Sequence, residues 1–242
     1  MKEKIKNFFK KYPKIYALLS NFYYKVKYLE LRFWGTKLEE NKWAKRDIKT
    51  VLKSWENLNH PHRPFLMEEI KKIPHLSSIL EIGCSYGPNL YHLAKIFPLA
   101  QIKGIDVNPL SIKLGNKWLK EEKINNVELF VGAADQLNQF PDKNFDITFT
   151  DAVFLYIGPD KTKKVISEMQ RITKKAIILV EHHSEKANAL GNYNQGRWLR
   201  NYRKLFQSIN PKSKIEVKKI PENLWGGDWG KYGYIIEIDL RK

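Results

Sequence analysis

The chain has 242 residues, 43% hydrophobic and 29% charged, with one cysteine and a formal net charge of +17. One cysteine excludes a disulfide framework and a cysteine-based zinc cluster, while the length suits one sizeable α/β domain plus an extension. The most apolar N-terminal run, IYALLSNFYY, is short and bounded by lysines. It fits neither a secretory h-region nor a spanning helix, so a cytoplasmic protein is expected.

Residues 1–60 show helical patterning without strand signals, punctuated by Pro13 and Gly35. They carry 15 Lys and Arg against 6 Asp and Glu, a net +9. The other 182 residues carry 28 against 20, a net +8, so half the excess sits in the first quarter. That quarter also holds 12 aromatic residues, among them Phe8, Phe9, Tyr12, Trp34 and Trp43. Basic residues interleaved with aromatics suit an anionic membrane surface, which would place the protein peripherally at the inner face, or nucleic acid. The plainer reading is a helical cap whose aromatics pack on the main domain and whose lysines are solvated. Two domains are expected: an extension over 1–60 and a catalytic domain over 61–242.

NHPHRPF follows, and its prolines break any continuing helix; FLMEEIKKI then reads as a short amphipathic helix. From there the pattern alternates. The strands are SSILEIG, QIKGIDV, VELFVG, FDITFTDAVF and AIILVEHH, and the helices PNLYHLAKIF, PLSIKLGNKWLKEE, PDKTKKVISEMQRIT and GRWLRNYRKLFQSI. KIEVKKI and YGYIIEIDL close as strands with too short a loop between them for a crossover helix, so they pair antiparallel. The expected architecture is a doubly wound, mostly parallel seven-stranded sheet with an antiparallel last strand and a helical N-terminal extension.

In such a sheet the ligand binds beyond the carboxyl ends of the strands, where EIGCSYG falls. Gly83 and Gly87 allow a tight turn and close approach, and the helix behind them offers free N–H groups. Asp106 lies 19 residues after Gly87, at the end of the next strand, where an acid can accept from both hydroxyls of a ribose. Loop and acid together indicate a nucleoside-containing cofactor. The dinucleotide fingerprint G-x-G-x-x-G is absent, which argues against a hydride-transferring dehydrogenase.

Glu81, Gly83, Ser85 and Gly87, with GIDVNP and FPDKNFDITFTDAVFLYI, make residues 75–240 resemble the class I S-adenosylmethionine-dependent methyltransferases, whose first motif is (D/E)-x-G-x-G-x-G. Ser85 stands where that family has its middle glycine. The resemblance implies methyl transfer from S-adenosyl-L-methionine, leaving S-adenosyl-L-homocysteine. It implies that Glu81, Gly83, Cys84, Ser85 and Gly87 shape the methionine end and that Asp106 holds the ribose. Val107 and Asn108 would lie along the adenine, Ala134 and Asp135 at its amine, and Thr150, Asp151 and Ala152 beside the methylthio region. Cys84 reads equally as a small buried side chain.

A hydroxyl acceptor needs a base, and the candidates at strand ends are Asp151, His182 and His183. Arg63 suits the cofactor carboxylate, and His60 or His62 the acceptor; a rigid linker explains HPHRP equally well. Tyr156, Trp225 and Trp229 are candidates for the acceptor wall, or simply packing over the sheet edge. No metal is expected, because His60, His62 and His182 lack any standard ligand spacing. The acceptor is read as a small molecule, a glycan or a lipid-linked sugar methylated on a hydroxyl or carboxyl oxygen. RNA methylation and a non-catalytic cofactor-binding protein are the competing readings. The oligomeric state is not legible.

Overall fold

Strands form where aliphatic residues run together. In the computed structural model, which describes residues 12–194 and 196–241, β1 (Ser78–Ile82), β2 (Gln101–Asp106), β3 (Val127–Val131), β4 (Phe145–Asp151) and β5 (Thr173–His182) pair in parallel. Phe8 and Phe9 lie outside the described residues. The short β6 (Asn192–Asn194) and β7 (Arg197–Leu199) form a separate hairpin. β8 (Lys214–Lys219) and β9 (Gly233–Asp239) complete the sheet, whose order is β3-β2-β1-β4-β5-β9-β8, with β9 antiparallel to both neighbours. The seven-stranded, mostly parallel sheet is the one the sequence leads one to expect.

Nine helices occur among the described residues: α1 (Pro13–Trp34), α2 (Lys37–Ala44), α3 (Ile48–Trp55), α4 (His62–Lys71), α5 (Pro88–Ile96), α6 (Pro109–Glu121), α7 (Pro159–Ile172), α8 (Tyr202–Ile209) and α9 (Asp228–Tyr232). Alternate residues of the central strands feed two cores. Ile79, Ile147, Phe149, Ile178 and Val180 meet α4, α5 and α6 on one face. Leu80, Ile82, Ile177 and Leu179 meet α7 and α8 on the other. Burial on both faces explains why these strands read as continuous apolar runs, each buried aliphatic contributing roughly 1.5–3 kcal/mol.

Two local expectations differ from the structure. GRWLRNYRKLFQSI is not one helix: it contributes β7, and α8 starts only at Tyr202, capped by Asn201 Oδ1 accepting from Lys204 N at 3.0 Å. Arg200 explains the difference. It is fully buried, and its guanidinium donates to the carbonyls of Phe154 and Ile157, which pulls this stretch inward as extended chain. The second difference lies in HPHRP. Its prolines do not only stop a helix but open one, with Pro61 as N-cap of α4 and Pro64 in its first turn, where a missing N–H costs little.

The N-terminal segment reaches the carboxyl end of the sheet through Thr36, just after α1. Its N and Oγ1 donate to Asp160 at 2.9 and 2.7 Å, and Gly158 N donates to Oγ1 at 2.7 Å. Asn108 Nδ2 donates to the carbonyls of Trp43, Ala44 and Arg46 at 3.0–3.3 Å. These bonds hold α2 over the carboxyl ends of the strands.

Candidate active site

A cavity of about 260 Å³ lies above the carboxyl ends of β1, β2 and β4, at the switch point where the chain reverses its order across the sheet. Its floor is the glycine loop after β1. Gly83 N and Cys84 N donate to Ile105 O at 2.7 and 2.9 Å, which folds the loop against β2. Gly83 has φ +80°, and a Cβ there would come within 2.3 Å of Val153 Cγ2, so only glycine fits. Ser85 takes a left-handed φ of 53°, held by its N–H donating to Asp106 Oδ2 at 2.9 Å. The serine therefore keeps the backbone path a glycine would follow. Gly87, also left-handed, caps α5.

Asp106 lines the cavity with both oxygens engaged from behind, Oδ2 by Ser85 N and Oδ1 by Asn108 N at 2.8 Å. Burial raises its pKa, opposed by those two N–H groups and by the nearby Arg46 charge. Val107, Ala134, Asp135, Asp151 and Tyr156 also line the cavity. Asp135 is paired with Lys161 at 3.0 Å, which bridges on to Glu40 at 2.7 Å.

Several residues singled out from the sequence stand elsewhere. The Cys84 thiol is buried beneath the loop against Gly104, and burial pushes its pKa well up. Asn108 lines the cavity, but its side chain is committed to the carbonyls of Trp43, Ala44 and Arg46 and to capping Ser111 N at 2.7 Å. Thr150 Oγ1 donates to the buried Glu181 at 3.0 Å, and Glu181 also takes the N–H groups of Val153, Phe154 and Leu155, fixing the turn after β4. His183 is not at the cavity. Its Nδ1 accepts from Tyr202 N at 3.3 Å and its Nε2 faces Glu185 at 3.2 Å, so it holds the start of α8. His182 points to the opposite face of β5, edge-on to Trp229 with ring centroids 4.5 Å apart, and burial lowers its pKa to about 4. Trp225 has no free face for an acceptor: it is sandwiched between His62 at 4.0 Å and Trp229 at 3.8 Å. The two tryptophans buttress His62.

Sequence reading missed the roof. Trp43 and Arg46 line the cavity, the guanidinium lying 3.3 Å over the indole, and Trp43 packs on Tyr156 at 4.7 Å. Their Trp-x-x-Arg spacing is the only local signal, and it does not distinguish a roof from a solvated helix end.

Beside the cavity a polar cluster converges on Asp151. Its Oδ2 meets His62 Nε2 at 2.8 Å and Asn89 Nδ2 at 3.0 Å, with Arg63 Nη1 3.6 Å away. Oδ1 is buried without a protein partner. His62 Nδ1 lies 2.6 Å from His60 Nδ1. Arg63 is not on the cavity wall: its guanidinium donates to Asn57 O at 3.1 Å and to Asn89 Oδ1. Burial alone would raise the Asp151 pKa, but the His62 ring, Arg63 and the Asn89 bond outweigh it and hold the carboxyl at about 2. Asp151 is therefore ionised at neutral pH.

Glu81 sits behind this cluster, accepting from Asn89 Nδ2 at 2.7 Å. Burial raises its pKa to about 8, against the Asn89 bond and with the help of Asp151. An acid whose folded pKa lies above its unfolded value of 4.5 destabilises the fold progressively as pH climbs from 4.5 towards 8. Glu81→Gln removes that penalty. Thermal unfolding of the variant is expected to show a shallower loss of stability than wild type across this window, the two converging below pH 4.5; identical slopes would mean that Glu81 stays ionised in the fold.

Residues 79–176 match the family described as a methyltransferase domain. Among curated relatives, the demethylmenaquinone methyltransferase of Listeria welshimeri is 27% identical over 151 residues, 62% of this chain and 60% of that protein. The fatty-acid O-methyltransferase of Mycolicibacterium smegmatis is 38% identical over 68 residues, 28% of this chain and 23% of that protein. The chain spans only 38% and 60% of the length of the first curated relatives it matches. A SAM-dependent methyltransferase from Aquifex aeolicus superposes with a TM-score of 0.58 over 81% of this chain and 100% of that chain, at 16% identity, which is a likeness of fold.

Proposed function

We propose that this chain, a member of the class I S-adenosylmethionine-dependent methyltransferase superfamily, transfers a methyl group from that cofactor to a hydroxyl oxygen of a small acceptor, free or carried on a glycan or lipid. The residues present fit the cofactor. The cradle at Gly83 admits no Cβ, and Asp106, on the cavity wall, keeps a further lone pair on each oxygen for two ribose hydroxyls. Val107 and Ala134 offer apolar walls for a purine, and Asp151 Oδ1 is a buried carboxylate oxygen awaiting a partner. When bound, S-adenosylmethionine supplies a methyl on a positively charged sulfur and leaves as S-adenosylhomocysteine.

The observation that carries the reading is the chain Asp151–His62–His60. Ionised Asp151 only accepts, so His62 carries a hydrogen on Nε2, and in the neutral form of the ring its Nδ1 accepts. The 2.6 Å contact then requires His60 to donate through Nδ1, which leaves the lone pair on Nε2 of a ring that stands beside the cavity lining rather than in it. Burial, with the nearby Arg63 charge, lowers the His60 pKa, so the ring is neutral and ready to accept. As the acceptor O–H bond breaks, its proton passes to His60 Nε2 and the O–CH₃ bond forms. The Nδ1 proton shifts to His62, where the positive charge rests against Asp151. His60 Nδ1 is then an acceptor, with His62 N 3.4 Å away.

A carboxylate acceptor is already ionised and needs no such relay, which favours a hydroxyl. Relatives named for demethylmenaquinone and fatty acids support a small-molecule acceptor over RNA. The test is incubation with methyl-labelled cofactor and panels of hydroxylated small molecules, saccharides and RNA. Label in a hydroxylated small molecule or saccharide is the expected result. Label only in RNA, or cofactor binding without turnover on any panel, would overturn the proposal.

A further inference from the structure

α1 stands apart from the apolar chemistry of the cavity. It runs 22 residues, about 33 Å, and ends at Gly35 and Thr36, directly before the roof helix α2. Ile15, Leu18, Leu19, Phe22, Val26 and Leu29 follow one another at helical spacing and form one stripe. Each is 41–71% exposed, with Leu18 at 71% and Phe22 at 66%. Lys14 and Lys25, both exposed, border the stripe. The helix is tethered from its other side: Tyr28, roughly opposite the stripe, packs on Tyr193 of the β6–β7 hairpin at 6.0 Å. Residues 1–34 carry nine Lys and Arg against two Glu. No helix among the described residues is long and apolar enough to cross a membrane.

We propose that α1 lies in the interface of an anionic phospholipid bilayer, its apolar stripe among the acyl chains and its lysines at the headgroups, and so holds the chain at the membrane. Charge complementarity selects this occupant: an apolar face flanked along one edge by Lys14 and Lys25, on a strongly basic segment, matches an anionic surface and repels a second copy of itself. The inference goes beyond the methyl-transfer reading and does not depend on it.

The test is sedimentation of the full chain with vesicles of phosphatidylcholine, with and without phosphatidylglycerol. The wild type is expected in the pellet with the anionic vesicles only, and less of it at high salt. The Leu18→Glu/Phe22→Glu variant should bind these vesicles about tenfold or more weakly, while its calorimetric affinity for S-adenosylmethionine in vesicle-free buffer stays that of wild type. Wild-type sedimentation equal with neutral and anionic vesicles would overturn the proposal, as would undiminished binding of the double variant. A dimer in solution that the double substitution dissolves, or tight binding to single-stranded RNA, in either case without vesicle binding, would assign the face to another partner and equally overturn it. The calorimetric arm reads the cofactor site separately, so failure at the membrane and failure of the methyltransferase reading are distinguishable.

Discussion

Asp106→Ala is expected to weaken S-adenosylmethionine binding by about 10²–10³-fold while leaving the chain folded. Asp106 lines the cavity, and each carboxylate oxygen takes one backbone N–H, which fixes the group and leaves each oxygen a further lone pair. A hydrogen bond to a charged acceptor is worth about 1.5–3 kcal/mol. Two of them, one to each ribose hydroxyl, account for about 3–6 kcal/mol, and the expected factor takes the lower part of that range. The substitution also leaves Ser85 N and Asn108 N without their acceptor, so some loss of thermal stability accompanies it. Asp106→Asn separates the two effects, because an amide oxygen still serves one backbone donor while the negative charge is gone. Calorimetry with cofactor and with S-adenosylhomocysteine should show both ligands weakened in parallel, since they share the ribose. Wild-type affinity in Asp106→Ala would refute the assignment.

That assignment was legible because its parts are local. Ile79 to Gly87 write a buried strand, a turn and a helix start in nine consecutive residues, and Asp106 repeats the logic one strand later. The strands themselves announce burial on both faces through unbroken aliphatic runs such as Ala176–Val180. What the sequence hid depends on contacts between distant residues. Trp43 and Arg46 become a roof only because Asn108, more than 60 residues later, binds their carbonyls. Arg200 turns an apparently helical stretch into a strand because carbonyls at 154 and 157 need a donor in the core. His62 and Asp151 are 89 residues apart, and no spacing rule joins them. HPHRP was conspicuous as a cluster, but its two candidate histidines could be ordered into a relay only once the ring nitrogens had partners. The tryptophans of LWGGDWG illustrate the converse. Their aromatic faces suggest a stacking platform, and the structure spends those faces on His62 and on each other.

The relay makes the sharpest demand on chemistry. His60→Gln is expected to lower kcat by about 10²–10⁴-fold, the usual contribution of a positioned base, with cofactor affinity unchanged. His60 is only partly buried, so the substitution empties no core space. His62→Gln should cost a similar factor, because glutamine can bond Asp151 but cannot pass a proton from one nitrogen to another. His62 also packs against Trp225, and a thermal shift in that variant alone would mark its structural share. The pH profile distinguishes a base from a spacer. A neutral His60 is required, and its pKa is lowered by burial and by the neighbouring Arg63 charge. Wild-type kcat/KM should therefore hold level through neutral pH and fall only on the acid side of the ordinary histidine range. Besides the His62 ring it bonds, the charged groups near His60 that set this inflection are Arg63, which lowers it, and Asp151, which raises it. Asp151→Asn removes the opposing charge and should move the inflection further to the acid side, with kcat reduced because the charge that reaches His62 is no longer balanced. Turnover in His60→Gln at the wild-type rate, with an unaltered acid limb, would leave proton removal to solvent and dismiss the relay while leaving the cofactor site untouched.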